Sequence, residues 1–384
     1  MEGARPVRRY LDNAATTWPK PPEVFAAWNH AAQDVGATAG RGVYRESIEA
    51  DAIRRRAREA VARLLGEVDP ARVALPGGCT LGLNTAILGL IRPGDHVIAT
   101  AADHNATLRP LHRLLARGEI ELTVVPCDGT GRVDPGEIAQ AWRSTTRLVV
   151  CSHVSNVTGV AQDAAAIAAV ARERDGLFLL DAAQSLGLLC CDVADLGCDV
   201  LVAPAHKWLL ATPGAAVLWA RTGLEVEPLV TGGTGTASES LEMPGALTES
   251  LEAGSPDVPA LAALAAAVGW HEARSVAVTS EACRRLADAC AAGLAGLGGV
   301  RVVGGERAAP IVSFTVEGYD PSDVAAILEQ AAGVQVRSGF HCAACVHEQL
   351  GTRAGGTVRA SYGPFNTAAD VEAVVRAVAM IVGD

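Results

Sequence analysis

Between about Val73 and Ala220, short apolar runs alternate with alanine-rich helical stretches, and this alternation limits the fold more than any other feature of the chain. The runs are HVIAT ending at Thr100, ELTVVP near Val125, RLVVCSH ending at His153, LFLLD ending at Asp181, DVLVAP near Ala203 and AAVLWA near Trp219. They are apolar on both faces and separated by helices, the pattern of a mostly parallel sheet covered on both sides. The class is therefore α/β. From about Leu224 to Asp257 the sequence turns to Gly, Ser, Thr, Glu and Pro and reads as a long functional or mobile loop. One long helix from Val258 into the Arg284 region is expected next, then a strand over Ile311–Val316, a helix from Pro321 and a short closing helix from Thr367. The 384 residues thus divide into a large domain over 15–257 and a smaller α+β domain formed by 1–14 with 258–384.

A net charge of -11 without a Lys/Arg-rich tract argues against nucleic acid or an anionic membrane as the main partner. Arg54, Arg55, Arg56 and Arg58 sit among acids in a helical stretch and read as a solvated face. The N-terminus lacks the apolar core of a secretory signal, and no window is apolar for long enough to span a bilayer, so a cytoplasmic location is expected. The ten cysteines show no disulfide spacing, and most lie in apolar runs as small hydrophobes.

In open α/β sheets ligands bind beyond the carboxyl ends of the strands. Here His104, then Ser152-His153 with Asn156, then Asp181 with Gln184, then His206-Lys207 each follow a strand. Asp181 alone reads equally well as a helix cap. A lysine ending a buried strand needs a reason to leave water, and a Schiff base to an aldehyde provides one. With an acid one βα unit earlier, the pair matches what pyridoxal phosphate requires: an amine on the aldehyde and a carboxylate on the ring nitrogen. Pro76-Gly77-Gly78-Cys79-Thr80 opens a helix whose N-terminus suits a phosphate, although such a turn is often only a cap. Neither a GxxxxGK[ST] loop nor an early GxGxxG is present, which disfavours nucleotides.

Taken in order, YLDNAATT, TLGLN, ADHNATLRP, SHVSNVTG, DAAQS, AHK, EAGSPD, VRSGFHCA and VRASYGPFNT resemble the class V aminotransferase family of fold-type I enzymes, in its cysteine desulfurase and selenocysteine lyase branch. The resemblance implies that Lys207 carries pyridoxal 5'-phosphate, that Asp181 pairs with its ring nitrogen and that His104 stacks on the ring. It places Asn156 and Gln184 on the phenolic-oxygen side, and Cys79, Thr80 and His206 at the phosphate. Ser255 would reach the phosphate of a neighbouring subunit, implying a homodimer. Arg359 would grip the substrate carboxylate, with Asn13 and Ala14 at the pocket edge.

Cys342 lies in R-S-G-x-H-C-A, which resembles the short-loop desulfurase signature of SufS-like enzymes, and Arg337, Gly339 and His341 make its surroundings polar. The implied reaction converts L-cysteine to L-alanine and leaves the sulfur as a persulfide on Cys342 for a sulfur-acceptor protein. Alternatives are a selenocysteine lyase or another C–S lyase or epimerase that needs no persulfide, and a non-catalytic sulfur-carrier or scaffold protein. Cys345 completes C-x-x-C with Cys342 and reads as passive, with a resolving disulfide or sulfur relay as the alternative; no metal site is expected. The chain departs from the family pattern at Pro204, where Ser or Thr is usual, at Ala211-Thr212-Pro213-Gly214, and at Asn105 in place of a second histidine.

Overall fold

The computed structural model describes residues 7–383. A first strand, β1 (Arg9–Tyr10), precedes seven that form the large sheet: β2 (Val73–Ala74), β3 (His96–Thr100), β4 (Glu121–Val125), β5 (Thr146–Ser152), β6 (Leu177–Asp181), β7 (Val200–Pro204) and β8 (Ala216–Ala220). Their order is β2-β8-β7-β6-β5-β3-β4, with β8 antiparallel to both neighbours and the other pairs parallel. The continuous apolar runs resolve into two alternating faces. Val97, Ala99, Val150, Leu179 and Val202 pack with Leu83 and Leu111 from helices Cys79–Leu90 and Asn105–Ala116. Ile98, Val149, Phe178, Leu180 and Leu201 face Ile53, Ile167 and Leu264 from helices on the other side.

The smaller sheet comprises β9 (Val300–Val303), β10 (Ile311–Val316), β12 (Arg337–Gly339) and β13 (Thr357–Ser361), antiparallel in the order β12-β13-β10-β9. The strand β11 (Val334–Gln335) pairs in parallel with β1, and Leu11 enters the same apolar cluster as Phe314 and Val358, so the N-terminal segment joins this unit.

Three expectations need correction. The long helix expected from Val258 is two helices, Val258–Arg274 and Val276–Ala295, broken where Ser275 takes φ +65, a conformation no helix interior accepts. The first of them buries Leu261, Leu264 and Val268 in the core of the large sheet. The closing helix, Ala368–Val382, is fifteen residues long rather than short, and Thr367 closes a capping box with Asp370. Arg58 does not belong to a solvated face: it donates to Val73 O (2.8 Å) and pairs with Glu252 (2.9 Å), whose other oxygen accepts from Leu75 N. Among the described residues, no helix is long and apolar enough to cross a membrane, and no group of three or more His, Cys, Asp or Glu is placed to hold a metal ion.

Candidate active site

The chain runs outward from β3 to β4 on one side and returns to β5 on the other, which opens a crevice at the carboxyl ends of these strands. A cavity of about 390 Å³ lies there, and His104, Ser152, Asn156, Asp181, Gln184, His206 and Lys207 all line it. Asp181, at the end of one strand, is buried, and Lys207, after the next, is half-buried; the two feel each other's charge. Burial lowers the Lys207 pKa, and the nearby Cys79 and Asp181 oppose the shift. Burial raises that of Asp181, against the pull of Lys207 and an N–H from Ala183 (2.9 Å). An amine biased toward its neutral form thus sits beside a carboxyl biased the same way, a pair poised to exchange charge with a ligand.

His104 caps helix Asn105–Ala116, its Nδ1 accepting from Ala106 N at 3.0 Å, which leaves the proton on Nε2. Burial, with Lys207 and Arg337 behind it, lowers its pKa to about 4, so the ring is neutral near pH 7. Gln184 is locked in place: its amide donates to Ala14 O (2.9 Å) and accepts from Trp208 Nε1 (2.6 Å). Asn156 donates to His341 O (2.6 Å). On the other wall Gly77 and Gly78 present open space where side chains would project, and helix Cys79–Leu90 starts there without a side-chain cap. His206 Nδ1 is buried without a partner.

The smaller sheet closes the cavity. Arg337 and Arg359 stand directly opposite each other on β12 and β13, and both reach the lining. Like charges across a strand pair repel unless an anion lies between them. Arg359 is only 1% exposed; it donates to Asp12 Oδ1 (2.8 Å) and Asn156 O (2.9 Å), while its Nε has no partner.

Cys342 lines an adjoining pocket that shares Thr80, His104 and Ala106 with the main cavity. Its Sγ accepts from Arg337 Nη2 at 3.2 Å and its carbonyl from Asn105 N at 2.7 Å. His341 and Cys342 both adopt positive φ, 51° and 60°, so the thiol is presented from a backbone shape that L-residues avoid.

Asn13 and Ser255 lie outside this cavity, the second having been expected only at a neighbouring subunit's phosphate. Asn13 does not line the cavity; its side chain is spent on Ser361 O (2.8 Å), Asn366 and Trp18 N, while Ala14 takes the lining position. Ser255 is exposed and away from the cavity of its own chain. Sequence reasoning missed Asp103, which accepts from Thr100 N (2.7 Å) and Ser152 N (2.5 Å) and ties the ends of β3 and β5 together. It also missed Asp12 and Lys20; only the placement of each beside a site residue distinguishes them.

The profile described as Aminotransferase class-V matches residues 9–374. The chain belongs to the class V aminotransferase family. Class V aminotransferases of this type depend on pyridoxal phosphate. A probable cysteine desulfurase of Methanothermobacter thermautotrophicus is 33% identical over 371 residues, 94% of this chain and 92% of its own length. Another, from Aeropyrum pernix, is 34% identical over 394 residues, 96% of this chain and 93% of its own. Among solved structures, the apo cysteine desulfurase of Thermococcus onnurineus NA1 superposes with a TM-score of 0.90 at 29% identity over the full length of both chains. The cysteine desulfurase CsdA of Escherichia coli gives 0.87 at 27% identity, covering 97% of this class V chain and 94% of its own.

Proposed function

We propose that the chain is a pyridoxal-phosphate-dependent cysteine desulfurase acting through a persulfide on Cys342. The observation that carries this reading is the meeting of Lys207 and Asp181 in one buried cavity whose neighbouring pocket holds Cys342 against Arg337. The residues fit the cofactor. The open glycine turn, the uncapped helix N-terminus and the unpartnered His206 Nδ1 suit a phosphate; Asp181 suits a pyridinium nitrogen, and Lys207 an aldehyde. Pro204 brings no hydroxyl to this wall, which leaves the phosphate to backbone N–H groups, Thr80 and His206.

When bound, pyridoxal phosphate supplies an electron sink for charge developing at the substrate α-carbon. Arg359 and Arg337 hold the substrate carboxylate between them, which relieves their mutual repulsion. Lys207 Nζ, whose pKa burial lowers, takes the α-proton. Asp181 would hold the ring nitrogen, and His104, neutral near pH 7 and fixed by its helix cap, would hold the ring face. Cys342 Sγ then attacks the substrate sulfur: the Cβ–S bond breaks, an Sγ–S bond forms, and L-alanine leaves. A sulfur-acceptor protein clears the persulfide. Ser255 would serve the phosphate of a second copy in a homodimer, a reading its exposure supports.

Lys207→Ala is expected to abolish both the visible absorbance of bound cofactor and alanine formation. Cys342→Ser is expected to keep the absorbance and stop alanine formation from cysteine. Full-rate turnover by the Cys342 variant would refute the persulfide role.

A further inference from the structure

We propose that Lys20 is a positioning residue for Lys207: docked on the His206 carbonyl, its ammonium helps fix the peptide that carries the reactive amine. The inference rests on the function proposed above and deepens it. Lys20 is 8% exposed, and buried lysines ordinarily meet a carboxylate. Among the described residues none pairs with it. Its Nζ instead lies 2.6 Å from Thr17 Oγ1 and 2.7 Å from His206 O. Burial without an acid lowers its pKa to about 7, and its charge in turn helps lower that of the adjacent His206 imidazole.

The His206 carbonyl attracts more donors than satisfaction requires. Thr17 N (3.2 Å) and Thr16 Oγ1 (3.1 Å) converge on it together with Lys20. Thr17 Oγ1 also reaches Lys207 O at 3.0 Å, and Leu210 N donates to the same oxygen at 2.8 Å. The two peptide planes on either side of the Lys207 α-carbon are therefore both held, each by its oxygen. A peptide is planar, so fixing both planes fixes the direction in which the Lys207 side chain leaves the backbone. Lys20 does not line the cavity, so it acts on a ligand there only through this turn.

The test uses purified protein loaded with pyridoxal phosphate, in wild-type form and as Lys20→Met, Lys20→Gln, Thr17→Val and the Lys20→Met/Thr17→Val double variant. The readouts are the visible absorbance of the Lys207-linked cofactor, its release rate on dialysis, and the melting temperature of the cofactor-free protein. Losing a charged donor is expected to speed release about tenfold or more in Lys20→Met. Lys20→Gln, which keeps a donor, should fall in between, and the cofactor-free melting temperatures should stay within a few degrees of one another. Because both side chains act on one turn, the double variant should release less quickly than the product of the two single effects. Lys20→Met that retains cofactor as long as wild type overturns the proposal. So does a Lys20→Met protein with a much lower cofactor-free melting temperature alongside a Lys20→Gln protein whose release is unchanged. Wild-type protein that never acquires the absorbance sinks the cofactor reading itself, and this inference with it.

Discussion

Arg359→Lys tests the substrate grip most directly, because the donors at this position can be counted. A guanidinium carries five N–H groups. One is committed to Asp12 Oδ1 and one to Asn156 O, which leaves three, including the buried Nε–H that has no partner. A lysine ammonium has three N–H groups in all. Serving the same two partners leaves it one, with no planar fork for a carboxylate. The variant therefore loses at least one charge-assisted hydrogen bond to the substrate, about 1.5–3 kcal/mol. That corresponds to a fall of roughly 10- to 150-fold in kcat/KM for L-cysteine. The assay is initial-rate alanine formation with a thiol reductant present, on enzyme whose cofactor absorbance has first been matched to wild type. A variant within twofold of wild type at full cofactor loading would refute the donor count. A loss explained wholly by missing cofactor would refute it too.

Other consequences can be checked independently. Arg337→Met removes the cation that bonds Cys342 Sγ, so alkylation of Cys342 by iodoacetamide near pH 7 should slow several-fold, read by mass spectrometry of the peptide; an unchanged rate would sever the link. Arg58→Met leaves the Glu252 carboxylate buried without its cation and should cost about 3 kcal/mol or more in thermal or denaturant unfolding, with part of the loss recovered by adding Glu252→Gln; an unaltered midpoint would contradict this. His104, His153, His206 and His271 all have pKa values lowered to about 4, chiefly by burial, below the unfolded value near 6.5. The unfolded chain then binds more protons between these limits, so stability should fall as pH drops from about 6.5 toward 4. Asp103, raised to about 7 by burial, works in the opposite direction and offsets part of the loss. Melting temperatures measured at pH 7 and pH 5 decide the matter: a flat profile would mean that the four imidazoles are not held neutral.

The large sheet was readable because its strands are buried on both faces and so stand out as apolar runs between helices. Direction was not readable: AAVLWA packs equally well either way, and only the structure shows β8 reversed. The break at Ser275 was hidden because residues on both sides of it, from Trp270 to Cys283, carry a helical pattern, and serine gives no warning of a positive φ. Lys207 and Asp181 were legible as polar residues ending buried strands. Lys20 was not, since a lysine before two prolines looks solvent-exposed; its burial depends on the turn nearly two hundred residues away against which it packs. Asp103 was not legible for the same reason, its second strand being 49 residues downstream. Asn13 shows the reverse error: its neighbours belong to the cavity wall, but its own amide faces the smaller sheet.

The pair of left-handed residues at His341 and Cys342 has a further implication. Glycine would relax this stretch, since it alone takes positive φ without steric penalty. Yet one position carries an imidazole that meets Thr357, and the other the thiol on which the proposed reaction depends. In the proposed reaction neither side chain can give way to glycine, so the stretch keeps its left-handed backbone while Arg337 meets the sulfur.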